Sequence, residues 1–80
     1  RPGEVKHLVP DYLEECRARN ILHVRIVHGK GTGSLRRTVH SLLDRLDTVA
    51  GYWLADESAG SWGATLVDLR PLDPPGPSAR

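Results

Sequence analysis

The sequence is short of most features that assign a class outright. It has one cysteine, Cys16, which excludes an internal disulfide and a cysteine-built zinc site and fits a reducing compartment. Phenylalanine and methionine are absent. No apolar run approaches the ~20 residues needed to span a bilayer, and no signal peptide is visible, so the expected location is the cytoplasm, with no membrane partner. An excess of either charge is missing too, because 11 Lys and Arg against 10 Asp and Glu leave a net charge of +1. A nucleic-acid function therefore cannot rest on overall charge and must rest on where the basic residues cluster. There is no internal repeat, and the start at Arg1-Pro2-Gly3, without methionine, reads as a piece of a longer protein.

What is present describes one small soluble domain of 80 residues with a modest core. Over residues 4–20 the apolar positions Val5, Leu8, Val9, Tyr12, Leu13 and Cys16 recur at helical steps of three and four. Pro10 falls inside that pattern and predicts a kink or a late helix start. Cys16 on the stripe is expected to be buried and inert. Glu14 and Glu15 diverge on a helix and form a solvated face rather than a carboxylate pair. Residues 21–27 are apolar and β-branched, which predicts a strand in a central position with His23 and Arg25 on its wetter side. Leu35, Val39, Leu42, Leu43 and Leu46 mark a second amphipathic helix over residues 34–47, capped by Thr32 or Ser34. His40 is off that stripe and reads as a surface histidine. Residues 49–55 and 64–69 are two further strands, the last with Thr65, Val67 and Leu69 alternating against Ala64, Leu66 and Asp68. The domain is expected over residues 1–70. Residues 71–80 shift to Pro, Asp, Gly, Ser and Ala and read as a disordered tail.

Between the first predicted strand and the second helix stands His28-Gly29-Lys30-Gly31-Thr32-Gly33. Three alternating glycines let backbone amides turn toward a bound group, and the loop feeds a helix N-terminus that favours an anion. Lys30 in the loop and Arg36 and Arg37 in the first helical turn oppose the helix dipole unless phosphate meets them. The spacing is neither a P-loop nor a dinucleotide fingerprint. Two readings stand side by side: a phosphate cradle, or a plain glycine-rich turn with solvated basic neighbours.

Phosphodiester cleavage needs a nucleophile, its activation by a base or metal, and charge stabilisation at phosphorus. Loop amides, Lys30 and Arg36 fit the last requirement. His28, at the C-terminal end of the strand, is the acid/base candidate; alternatively it holds the loop through backbone hydrogen bonds. Trp62 either anchors the loop before the last strand or offers a stacking surface to a base, with the anchor favoured. The histidine spacing suggests no metal ligation, and a divalent metal is left open as a cofactor, with Asp56, Glu57 and Asp68 the nearest acids.

The stretches VRIVHGKGTGSLRRTVHSLL and GSWGATLVDL resemble the Smr (small MutS-related) domain over about residues 4–70. The resemblance implies an α/β two-layer sandwich of β-α-β-α-β-β type, a mixed sheet with two helices on one face. Its matching site residues are His28, Gly29, Lys30, Gly31, Thr32, Gly33 and Arg36. The family opens with a strand carrying Leu-Asp-x-His or Leu-Asp-x-Arg, part of its nuclease site. This sequence starts just after that place, leaving a sheet edge open for self-association. The resemblance implies endonuclease activity, often nicking, on DNA or RNA, with links to DNA repair and the ribosome. The alternative is a non-catalytic nucleic-acid- or ribosome-binding module of a larger MutS-related protein. A third class, a small-nucleotide enzyme, lacks an aromatic or acidic set for a closed pocket.

Overall fold

The computed structural model describes residues 2–29, 32–55 and 63–72, with backbone alone for residues 2–4. Helix α1, Pro2–Ala18, and helix α2, Ser34–Arg45, pack on a sheet of β1, His23–Val27, β2, Val49–Leu54, and β3, Ala64–Leu69. The core joins Leu13 and Cys16 of α1, Val39 and Leu43 of α2, and Val24, Val49, Val67 and Leu69 of the sheet, so both helices cover one sheet face. No helix among the described residues is long and apolar enough to cross a membrane.

Helix α1 runs through Pro10 without the late start expected from the sequence. Val5 and Val9 before the proline and Leu13 and Cys16 after it pack on the same core, so burial holds both halves in one helix although Pro10 cannot donate a hydrogen bond. The buried stripe is narrower than the sequence pattern, for Leu8 and Tyr12 are exposed on its flank. The helix ends in a Schellman motif: Asn20 takes φ 60°, its N–H donates to Arg17 O at 2.9 Å, and Ile21 N–H donates to Cys16 O at 2.8 Å.

The strand order is β1-β3-β2, and β3 pairs antiparallel with both neighbours. Among the described strands, then, β3 is central and β1 lies outermost, not central as its continuous hydrophobicity suggested. The reason lies in the alternation: Val24 and Ile26 face the helices, whereas His23, Arg25 and Val27 are exposed, Val27 by 71%. A mixed sheet needs a parallel neighbour, and none of these three strands supplies one. A register shift between Val49 and Gly51 marks a bulge in β2. On the helix-free face His23 Nδ1 lies 2.7 Å from Asp68 Oδ1.

Leu13 is fully buried at the junction of α1 with the sheet. Leu13→Ala is expected to lower unfolding stability by about 2–5 kcal/mol, the usual cost of a core cavity, as measured by urea denaturation followed by circular dichroism.

Candidate functional site

The site begins where β1 ends. Val27 points outward, so strand alternation turns His28 inward, where it is 8% exposed. The N–H groups of His28 and Gly29 both donate to Gly63 O, at 2.7 and 2.8 Å, which ties the loop to the start of β3. Gly29 has φ 87° and nothing within 4 Å of where a Cβ would stand, so backbone conformation and not space requires glycine there. Gly33, with φ 88°, is the N-cap of α2.

No side chain caps α2. Thr32 instead sits one residue before the cap and accepts Ser34 N–H on its Oγ1 at 3.3 Å, which corrects the expected capping role of Thr32 or Ser34. Arg37 N–H makes the first intrahelical bond, to Gly33 O at 3.0 Å, and the Leu35 and Arg36 amides ahead of it have no intrahelical acceptor. Both neighbouring guanidinium groups fold back here: a Cβ on Gly33 would lie 3.0 Å from Arg36 Nη2 and 3.2 Å from Arg37 Nη1. The first turn of α2 holds no acid. Two like charges thus converge on the positive end of a helix dipole, an arrangement that an arriving anion relieves. Lys30, Gly31 and Trp62, with Asp56 and Glu57, lie outside the described residues, as do residues 73–80 of the tail. Among the described residues no three His, Cys, Asp or Glu side chains group as a metal site.

Beneath the loop lies a polar string. His28 Nδ1 is 3.1 Å from Gly29 O, an acceptor only, so Nδ1 carries the proton and donates. With that proton on Nδ1, Nε2 accepts the Thr65 hydroxyl at 2.8 Å. Having donated its one proton, Thr65 Oγ1 accepts from His40 Nε2–H at 2.7 Å. The His28 and His40 rings meet edge to face at 6.0 Å. His40 also stacks at a tilt on Tyr52 at 4.8 Å, and the Tyr52 hydroxyl donates to Asp44 Oδ1 at 2.6 Å. That bond to Asp44, together with burial, pushes the Tyr52 hydroxyl pKa up. Burial, then the neighbouring charges of His28 and Arg36, hold His40 below the ordinary imidazole pKa, with Asp44 pulling the other way.

His40 is therefore not the surface histidine expected from the sequence. It borders the apolar stripe one residue after Val39, and strand β3 brings it a partner that helical spacing alone cannot reveal. Thr65 was legible in part: it shares the inward row of β3 with Val67 and Leu69, and a hydroxyl in a buried row needs hydrogen-bond partners. The sequence singled out His28 but not the two groups that occupy its Nε2 side.

Thr65→Val keeps the shape but removes the hydroxyl between two imidazoles; it is expected to lower stability by about 1–3 kcal/mol, because buried ring nitrogens lose their partner, as read by thermal and urea unfolding. His40 is expected to titrate below 6.5 in the folded chain, as followed by NMR of its ring protons. Since the unfolded state then binds the proton more readily, stability is full above that ordinary value and falls as pH drops through the window below it. His40→Gln should flatten that part of the urea-midpoint profile.

The Smr domain family model matches residues 1–70. The chain is 42% identical over 67 residues to Endonuclease MutS2 of Agathobacter rectalis, covering 84% of this chain and 8% of that protein. It is 41% identical over 63 residues to Endonuclease MutS2 of Thermus thermophilus, covering 79% of this chain and 8% of that protein. It thus spans about 8% of the length of these curated relatives. The crystal structure of the Smr domain of Thermus thermophilus MutS2 superposes with a TM-score of 0.82 at 38% identity, covering 89% of each chain. YdaL, a stand-alone small MutS-related protein from Escherichia coli, gives 0.71 at 30% identity, covering 88% of this chain and 58% of that one. With its loop, helix start and sheet order in a fold shared at this level of identity, the chain belongs to the Smr domain family.

Proposed function

We propose that this chain is a nucleic-acid-binding domain of the endonuclease type, working in the cytoplasm, in which the glycine loop and the start of α2 hold a backbone phosphate of DNA or RNA. The observation that carries this reading is the pair of guanidinium groups of Arg36 and Arg37 folded against Gly33 at an uncapped helix start. Backbone amides and paired cations at one point suit a phosphate oxygen cluster better than a single carboxylate. Gly29, Thr32 and Gly33 shape the cradle, and Lys30 and Gly31 complete it in this proposal. Relatives whose names call them endonucleases support phosphodiester cleavage as the activity of the larger protein. In that chemistry the cradle offsets charge that develops at phosphorus. His28 supplies acid/base action by exchanging the Gly29 carbonyl, the longer of its two hydrogen bonds, for substrate.

One observation favours a second reading, a module that binds nucleic acid without cutting it. His28 is buried, and both of its ring nitrogens already have partners, which suits a histidine that fixes the loop. The outer side of β1, without a neighbouring strand among those described, suits pairing with another chain in such a module.

Oligonucleotide titration of the chain at low salt is expected to move the amide resonances of Gly29, Thr32, Gly33 and Arg36, and Arg36→Ala should weaken binding. Resonances that stay still would sink the cradle. Nicking of supercoiled plasmid or structured RNA that is lost in His28→Ala while binding persists supports the chemical role; intact substrates across several divalent metals leave the binding module.

A further inference from the structure

Cations on α2 extend well past the loop. We propose that the groove between α1 and the outer face of α2 is a second phosphate-binding surface, taking the sugar-phosphate backbone of a polynucleotide as it continues from the glycine loop toward Arg45. This rests on the reading that the loop holds a nucleic-acid phosphate.

The groove has a volume of about 390 Å³ and is lined by Lys6 of α1 and by Ser34, Arg37, Thr38, Ser41 and Arg45 of α2, with Leu42 as its apolar member. It holds three cations and three hydroxyls, and no acid lines it. On α1 and just past its end, by contrast, Arg17 pairs with Glu14 and Arg19 with Glu15, each at 2.7 Å. Among the described residues Lys6, Arg37 and Arg45 make no ion pair. A groove lined by three cations and no acid, while cations at the far end of α1 are paired, is complementary to a polyanion.

Its geometry indicates which polyanion. Ser34, Arg37, Ser41 and Arg45 follow one another at steps of three and four, with Thr38 four after Ser34, so they form one stripe along α2. From Ser34 to Arg45 that stripe is about 16 Å long at 1.5 Å per residue, the axial span of roughly four to five phosphates on one duplex strand. Ser34 and Arg37 belong to both surfaces, so the groove continues the cradle. Arg, Lys, Ser and Thr are phosphate ligands, and the lining includes no aromatic, Asn or Gln side chain that reads or stacks a base. Thr38 already donates its hydroxyl to Ser34 O at 3.1 Å, which leaves Ser41 and Ser34 as the hydroxyl donors. The occupant is therefore a sugar-phosphate chain held without regard to sequence, not a peptide seeking side-chain pockets.

The test is fluorescence anisotropy of the full 80-residue chain with labelled mixed-sequence oligonucleotides, single- and double-stranded, over a range of salt. The double variant Lys6→Ala/Arg45→Ala is expected to bind more weakly and to reduce the slope of log K against log salt by about 0.7–0.9 for each phosphate that is no longer neutralised. Arg45→Glu should weaken binding further. Both positions are exposed, and circular dichroism is expected to match that of the parent chain. Shifts of the Gly29 and Gly33 amides on adding inorganic phosphate should be the same in variant and parent, and scrambling the oligonucleotide sequence should not change affinity. If the double variant keeps the parental slope while Arg36→Ala weakens binding, the groove proposal is overturned and the cradle stands. Equal affinity for polyglutamate of matching charge also overturns it, and failure of the parent chain to bind any oligonucleotide overturns groove and cradle together.

Discussion

Thr65 Oγ1 has one proton to give and two imidazoles within reach, at 2.8 Å and 2.7 Å. Buried completely on the central strand, it serves both, donating to His28 Nε2 and accepting from His40 Nε2–H, while Tyr52 and Asp44 hold the far end of the string. The loop, the middle of α2 and both outer strands meet through this hydroxyl, so the position of the loop depends on it.

Above that buried string the charge is sorted by place rather than by amount. The chain is nearly neutral, yet Glu14, Glu15 and Asp68 are engaged with Arg17, Arg19 and His23, and Asp44 with Tyr52. The cations at the start of α2 and along its outer face have no such partner among the described residues. Local fields of this kind act within about a Debye length, roughly 8 Å at physiological salt, so a small net charge does not weaken them.

The sequence revealed the order of elements because helical and strand periodicities are local properties. Helix α2 and strand β3 follow directly from Leu35, Val39 and Leu43 and from Thr65, Val67 and Leu69. Strand placement is not local: the apolar run before His28 is as hydrophobic as a central strand, but Val27 spends its apolar surface on solvent. Pro10 does not delay the start of α1, since a core on both sides of it outweighs one missing hydrogen bond. In the candidate site, loop chemistry singled out His28, Gly33 and Arg36. It did not single out His40, because its partner is 25 positions away and is reached only through the fold.

Arg17 gives the opposite end of the sheet a different character. Its Nε donates to Arg70 O at 2.7 Å and its Nη2 to Pro71 O at 3.1 Å, so the first residue of the expected disordered tail is fastened to α1. Strand β3 separates this clasp from Gly63 and the loop by about 20 Å at strand rise. The molecule therefore has two poles, one whose guanidinium groups are absorbed by peptide carbonyls and one whose guanidinium groups face solvent. The exit from β3 is thus braced on α1 by its own backbone carbonyls, at the end of the sheet away from the glycine turn.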